Sequence, residues 1–137
     1  MKIAVYTAIF GNFDVLKKQP EQDIDCDFFC FTDCDITDSD WNVVTTDFSG
    51  DTPRFRAKFP KTKPHIVLPD YDITYWIDGS VQLKDSSSVR LLIERMGCND
   101  NLFFVHPDRN CIYDELEVSM KMDKYKGHGL REQVKRY

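Results

Sequence analysis

The chain has 137 residues, a formal net charge of −5 and 42% hydrophobic residues, including ten Phe, six Tyr and two Trp. This length and composition suit one domain with a core, and exclude a disordered tail, a disulfide-only scaffold and a collagen-like repeat. The acidic balance argues against nucleic acid as a partner, and no apolar run reaches the roughly 20 residues of a membrane-spanning helix. The N-terminus lacks the features of a signal peptide, so we expect a cytoplasmic location.

The first half of the chain predicts three strands and one short helix. Apolar and β-branched residues are typical of buried strands, and the first of these strands should be central and the third nearer an edge. The predicted strands are Lys2–Ile9, Asp27–Thr32 and Trp41–Thr46. A helix should begin near Thr52, with Pro53 in its first turn, and Pro60 and Pro64 should keep it short.

The second half alternates strands and helices in the same way. The run DITYWID (Asp72–Asp78) gives the strongest strand prediction, because its residue types favour strands and Asp78-Gly79 ends it. Apolar spacing predicts an amphipathic helix over Ser86–Gly97, with the glycine at its end. The remaining predicted elements are a strand continuation at Val81–Leu83, a short buried strand at Leu102–Val105, and helices at Asp114–Lys124 and Leu130–Tyr137.

This alternation predicts an α/β fold: one domain over residues 1–137, with a mixed, mostly parallel sheet covered by helices on both faces. Ligands of open α/β sheets bind beyond the carboxyl ends of the strands. That rule gathers small and polar residues from four strand ends into a candidate cleft. They are Thr7, Ala8, Gly11 and Asn12, then Asp33, then Asp78, Gly79 and Ser80, and finally His106 and Arg109.

Asp78-Gly79-Ser80 is the first candidate motif. A carboxylate at the end of a buried strand commonly holds a divalent cation or a ribose hydroxyl. Glycine would let a ligand approach the backbone, and the serine hydroxyl could add a ligand. The alternative, equally weighted from spacing alone, is an Asp-Gly turn that closes a hairpin.

Two further groups carry charge. Ten acidic residues and no Lys or Arg lie between Gln19 and Pro53, whereas five basic residues and no acid follow from Arg54 to Lys63. Three of these bases, Arg54, Lys58 and Lys61, are spaced at i, i+4 and i+7. From one helix face they could bind a diphosphate, or they could simply form a solvated face.

His106 and Arg109 could bind a phosphate, a metal or a sugar. The structural alternative is that Arg109 pairs with Asp114 or Glu115.

Six segments in order make the chain resemble a glycosyltransferase-like family once classed as a domain of unknown function. Members include plant proteins linked to cell-wall mucilage and pollen-tube growth, and bacterial and phage polysaccharide proteins. The resemblance covers nearly the whole chain and implies a GT-A type fold with a Rossmann-like nucleotide-binding half. The segments are KIAVYTAIFGNFD, DFFCFTD, PRFRAKFPKTKPH, DYDITYWIDGSVQL, FFVHPDRNCIYDE and REQVKRY.

The resemblance also implies roles for individual residues. A nucleotide-diphosphate sugar, most simply of the UDP type, would bind at the strand ends, and a glycan or other hydroxyl compound would accept the sugar. Asp78 and Ser80 would hold Mn²⁺ or Mg²⁺, and Asp78, His106 and Arg109 would form the catalytic set. The donor-binding residues would be Thr7, Ala8, Phe10, Asp33, Arg54, Lys58 and Lys61.

The chain departs from the family in two ways. Its motif is Asp-Gly-Ser where GT-A enzymes usually have Asp-x-Asp, which weakens the expected metal site. Members usually continue beyond the segment REQVKRY, so we expect a C-terminally short form. The apolar surface that such a form would expose suits a homodimer.

A non-catalytic nucleotide-sugar or glycan binder is therefore the alternative to a transferase. A lipid-amide hydrolase is a less favoured one, because the three histidines show no metal-ligand spacing.

Overall fold

Strand β1 (Ile3–Ile9) is the centre of the sheet, and all seven of its residues are buried. The computed structural model describes residues 1–37 and 40–136, and the chain divides into two units, Met1–Gly97 and Cys98–Tyr137. In the first unit, β1 pairs with β2 (Asp27–Thr32) on one side and β4 (Ile73–Trp76) on the other. Strand β3 (Asn42–Thr45) pairs with β2, which gives the order β3-β2-β1-β4.

All three strand pairings are parallel, so the expected α/β fold is confirmed. The four predicted strands Lys2–Ile9, Asp27–Thr32, Trp41–Thr46 and Asp72–Asp78 each lie within two residues of the observed bounds, and β3 is at an edge as expected. Parallel strands end at the same side of a sheet, which brings the carboxyl ends of β1, β2 and β4 to one edge.

Helices cover both faces of this sheet. Alternate residues of β1 point to opposite faces. One face packs Val5 and Ile9 against Val89 of helix α3 (Ser88–Met96), together with Trp41 and Ile77. The other packs Tyr6, Ala8 and Phe10 against Ala57 of helix α1 (Pro53–Thr62) and Val67 of helix α2 (Pro64–Val67). Because β1 is buried on both faces, its sequence is a nearly continuous apolar run and does not alternate between polar and apolar residues.

Helix α1 begins as predicted but continues past Pro60. The Thr52 side chain accepts a hydrogen bond from the Phe55 N–H at 3.3 Å, and Pro53 occupies the first helical position. Pro60 is buried inside the helix and does not end it, so the expectation that this proline shortens the helix is wrong. Packing of α1 on the sheet outweighs the local cost of the proline.

Two predicted strand segments are absent from the part of the chain that the structure describes. Val81–Leu83 does not continue β4, because the Gln19 side chain takes the place of a neighbouring strand. Its Nε2 donates to the Val81 carbonyl at 3.1 Å, and its Oε1 accepts from the Leu83 N–H at 2.9 Å. Leu102–Val105 is exposed and forms no strand; Phe103 is 84% exposed, and no strand lies in the described part of the second unit to pair with it.

The second unit contains helix α4 (Ile112–Ser119), a 3-10 turn (Asp123–Tyr125) and helix α5 (Leu130–Val134). The predicted helix over 114–124 is thus split, and the one predicted to run to Tyr137 is shorter; Tyr137 itself lies outside the described residues.

In the first unit, Gly97 ends α3 as predicted, with φ of 56°. No helix in the described ranges has the length and apolar character needed to cross a membrane. The expectation of one domain over 1–137 stays a prediction.

The buried hydroxyl of Thr7 generates a stability prediction. Thr7 is 1% exposed, and its Oγ1 finds no hydrogen-bond partner among the described residues. Because valine keeps the shape and removes the unpaired hydroxyl, Thr7→Val should raise the melting temperature by roughly 2–4 °C. The matched control is Thr32→Val, which should lower the melting temperature, since the buried Thr32 Oγ1 accepts from the Cys34 N–H at 3.0 Å. Calorimetric melting of both variants checks this, and a destabilised Thr7→Val would contradict it.

Candidate functional site

The candidate site lies at the carboxyl edge of the sheet, where residues following β1, β2 and β4 come together. Two groups of charged side chains form there. We call the group around Gly11, Asp33, Asp47 and Arg56 the Asp33 cluster. The group around Asp14, Lys61, Trp76 and the turn Asp78–Ser80 is called the Asp78 cluster.

A tight backbone bend after β1 supports the Asp33 cluster. Gly11 and Asn12 both adopt left-handed backbone conformations, with φ of 62° and 54°. Their N–H groups face the loop after β2: the Gly11 N–H donates to Asp33 Oδ1 at 2.8 Å, and the Asn12 N–H to Cys34 Sγ at 3.3 Å. A Cβ on Gly11 would lie 2.8 Å from Pro53 Cγ, so this position requires glycine. The bend therefore fixes the Asp33 carboxylate against the end of β1.

Arg56 joins the loops that follow β2 and β3. Its Nη1 donates to Asp33 Oδ2 at 3.0 Å and to Asp47 Oδ1 at 3.2 Å, and its guanidinium lies over the Phe10 ring. Arg56 was not among the predicted site residues, because the predicted set, Arg54, Lys58 and Lys61, shares a different face of α1. One signal was available: Arg56 lies four residues before Pro60, on the face of the helix that turns inward.

Hydrogen bonds keep Asp33 ionised. The Cys34 thiol donates to Oδ1 at 3.0 Å and, with the Gly11 N–H and the Arg56 charge, holds the pKa of the Asp33 carboxyl below its ordinary value. Desolvation acts in the opposite direction and is outweighed. Asp33 is thus a fixed carboxylate at the end of β2, a position from which it can accept hydrogen bonds from a ligand.

The Asp78 cluster is built on an ion pair with Lys61. Asp78 Oδ1 accepts from Lys61 Nζ at 3.2 Å and from the Trp76 indole N–H at 2.9 Å. Lys61 Nζ also lies 5.2 Å from the centre of the Trp76 ring. Burial raises the pKa of the Asp78 carboxyl, but the two hydrogen bonds and the lysine charge together lower it by more. The pKa of Asp78 therefore lies below its ordinary value.

Gly79 lets the turn after β4 lie close to the end of β1. A Cβ at this position would lie 3.0 Å from Ile9 Cγ1 and 3.2 Å from Asp14 Oδ2. The Val81 N–H closes the turn by donating to the Asp78 carbonyl at 2.8 Å. The fold therefore places a second carboxylate, Asp14, beside the Asp78–Ser80 turn, although the two are far apart in sequence.

The basic residues of α1 are arranged as their spacing predicts. Arg54, Lys58 and Lys61 all lie within the helix and share one face, at i, i+4 and i+7. Lys61 contacts Asp78, whereas Lys58 Nζ lies 5.1 Å from the centre of the Phe55 ring. The helix therefore presents a row of positive charge that begins at the Asp78 cluster.

Three predicted nucleotide contacts are largely covered by the fold. Thr7, Ala8 and Phe10 are 1%, 8% and 2% exposed. Thr7 faces the side of the sheet that α3 covers, while Ala8 and Phe10 face α1. Little of these three residues is open to a ligand, and their role in nucleotide binding stays a prediction.

His106 and Arg109 lie in the second unit. Arg109 Nη2 contacts His106 Nε2, and the histidine Nδ1 accepts from the Asp108 N–H at 3.1 Å. Arg109 also pairs with Glu115, with 2.8 Å between Nε and Oε2. The structural interpretation of this arginine, an ion pair with the acids of the following helix, is therefore confirmed, and its catalytic role stays a prediction.

The side chains at the Asp78–Ser80 turn fit a divalent cation poorly. Mg²⁺ and similar hard cations prefer several oxygen ligands, mainly carboxylates. Asp78 Oδ1 already accepts two hydrogen bonds, and Ser80 offers a neutral hydroxyl in place of a second acid. Across residues 1–37 and 40–136, no group of three His, Cys, Asp or Glu side chains could hold a metal ion. The expected Mn²⁺ or Mg²⁺ at Asp78 and Ser80 stays a prediction.

Comparison with known families decides the family of the chain. Residues 38–137 match the TOD1/MUCI70 glycosyltransferase-like domain. The chain belongs to this family. The match covers about three quarters of the 137 residues and includes α1, β4 and the Asp78 turn. No curated protein and no solved structure matches the chain. The family resemblance is thus confirmed over residues 38–137, and the role of the domain is glycosyltransferase-like. The segments KIAVYTAIFGNFD and DFFCFTD lie outside the matched residues.

The Asp33 cluster generates a prediction about acid stability. Because the pKa of Asp33 is lowered in the folded chain, its contribution to stability is present at neutral pH and is lost as the pH falls below about 4. Asp33→Asn should lower the melting temperature at pH 7 by roughly 2–6 °C, and the difference from wild type should shrink towards pH 3. Melting curves across this range check it, with the exposed Asp35→Asn as the matched control. A difference that stays constant with pH would contradict this account.

Proposed function

We propose that the protein transfers a sugar from a nucleotide-diphosphate donor to a saccharide or other hydroxyl acceptor. Membership of the glycosyltransferase-like family supports the general role. A UDP-type donor, a glycan acceptor, a cytoplasmic location and a homodimer are further parts of this proposal.

One observation supports the donor site more than any other. The Asp78 carboxylate, which follows β4, holds the Lys61 ammonium, and Lys61 is the last of three basic residues on one face of α1. A diphosphate carries two or three negative charges, so it needs several cations within a few ångströms. The carboxyl edge of the sheet is also where ligands of open α/β folds bind.

In this proposal, each cluster has its own task. Asp33, fixed by the Gly11 bend and Arg56, accepts hydrogen bonds from the base or ribose of the donor. Lys61, with Lys58 and Arg54, neutralises the charge that develops on the departing diphosphate as the glycosidic bond breaks. Asp78 keeps the Lys61 ammonium oriented towards the site.

A second function, binding of a nucleotide sugar or glycan without transfer, is favoured by one observation. The carboxylate at the expected Asp-x-Asp position is occupied by Lys61 and Trp76, and a serine stands in place of the second acid. Such a protein would bind the nucleotide-sugar donor as a transferase does, but it would release the donor unchanged.

Variants of the Asp78 cluster test the transferase proposal. Removing one electrostatic contact to a developing charge typically costs about 100–1,000-fold in rate. We therefore expect Asp78→Ala and Lys61→Ala each to reduce donor turnover by roughly this factor. Lys63→Ala is the matched control, because Lys63 lies at the end of the same helix with its Nζ over the Phe59 ring.

Two measurements are needed: calorimetric titration with UDP, GDP and their sugar conjugates, and release of nucleotide in the presence of candidate acceptors. Saturable binding of one nucleotide, followed by acceptor-dependent release, supports the transferase. Binding without release supports the binding protein. The proposal is wrong if the folded protein binds none of these nucleotides, or if both variants keep wild-type rates and affinities.

A further inference from the structure

We propose that the Lys61 ammonium is the cation this site offers to the donor diphosphate, in the place where a GT-A fold implies a divalent metal. Donor binding is then independent of Mn²⁺ and Mg²⁺. This inference rests on the proposed function, because it concerns how the same site neutralises the same ligand.

Lys61 lies directly beside the carboxylate that was expected to hold the metal. Its Nζ lies 3.2 Å from Asp78 Oδ1 and 5.2 Å from the centre of the Trp76 ring. The Trp76 N–H donates to the same oxygen at 2.9 Å, so one residue holds both the lysine and the carboxylate. The Asp78 carboxylate and the Trp76 ring thus hold the Lys61 ammonium beside the expected metal ligand, where the metal ion itself was expected.

Lys61 and a divalent metal exclude each other at Asp78. A hard divalent cation binds a carboxylate oxygen at roughly 2.0–2.6 Å. A metal at that distance from Asp78 would lie only a few ångströms from the ammonium, and like charges repel strongly at this separation. Lys61 would have to leave before a metal could bind. Lys61 is part of the chain, so its local concentration at this carboxylate is fixed, and a metal has to compete with it.

The side chains around Asp78 offer a metal few further ligands. Ser80 supplies a neutral oxygen, and Asp14 adds one carboxylate on the other side of Gly79. In the parts of the chain that the structure describes, acidic, histidine and cysteine side chains do not form a group of three around a metal position. An ammonium needs fewer ligands: it has three N–H donors, so it can donate to Asp78 and still donate to phosphate oxygens.

The basic face of α1 completes the arrangement. Lys58 and Arg54 follow Lys61 along one side of the helix, at spacings of three and four residues. Together they offer three positive charges, comparable to the charge that a metal and one lysine would supply. Lys58 and Arg54 therefore give the diphosphate further cationic partners once Lys61 has bound it.

The first test measures UDP affinity by calorimetry with excess EDTA and with Mn²⁺. For the wild-type chain we expect the two dissociation constants to agree within about twofold. Lys61→Gln should weaken binding in EDTA by about tenfold or more, since it removes a charge-assisted contact. Lys63→Gln, the matched control on the same helix, should bind like wild type.

The second test needs no nucleotide. Mn²⁺ is titrated into the protein and free Mn²⁺ is followed by electron paramagnetic resonance. Because Lys61 and the metal compete for Asp78, Lys61→Gln should bind Mn²⁺ more tightly than the wild-type chain. Adding Asp78→Asn or Asp14→Asn to Lys61→Gln should remove that gain.

Three results would overturn the inference. UDP binding by the wild-type chain that appears only with Mn²⁺ rejects the lysine but leaves the nucleotide site standing. Mn²⁺ affinity that is equal in wild type and Lys61→Gln rejects the competition between them. If the folded wild-type chain binds no nucleotide with or without Mn²⁺, the proposed function itself is wrong, and the inference falls with it.

Discussion

Burial of β1 on both faces is the constraint on which the rest of the first unit depends. A strand covered by α3 on one side and by α1 and α2 on the other has no solvent-facing residues, so its register with β2 and β4 is fixed by packing on both faces. Fixed parallel register places Gly11, Asp33 and Asp78 at one edge. The chemistry of the site therefore follows from the packing of the sheet.

Opposite charges at that edge are already partnered in pairs. Arg56 holds Asp33 and Asp47, and Lys61 holds Asp78. The Arg56–Asp33 and Lys61–Asp78 pairs differ in exposure: the side chains of Asp33 and Arg56 are about one-quarter exposed or less, whereas those of Lys61 and Asp78 are 47% and 64% exposed. Exposed pairs contribute little to stability. The first pair thus suits a structural role, and the second leaves an ammonium that a ligand can reach while it stays paired with Asp78.

The sequence was most informative where local pattern and packing agree. Asp27–Thr32 is predicted at its observed bounds, and the spacing of Arg54, Lys58 and Lys61 does predict one helix face. Leu102–Val105 has the residue types of a buried strand, but a strand also needs a neighbour, which no local pattern shows. Arg56 and Asp14 were missed as site residues because their partners, Asp33 and Gly79, lie 23 and 65 positions away in the chain. Distant contacts of this kind depend on sheet order.

The central claim, that a nucleotide diphosphate binds at the carboxyl edge of the sheet, is tested most directly by nuclear magnetic resonance. The ¹⁵N-labelled chain is titrated with UDP, and the backbone amide shifts are followed. The account predicts saturable shifts concentrated at Gly11, Asn12, Gly79 and Ser80, with an unchanged Gly97 at the end of α3. Shifts confined to residues away from this edge, or no shifts at all, would contradict it.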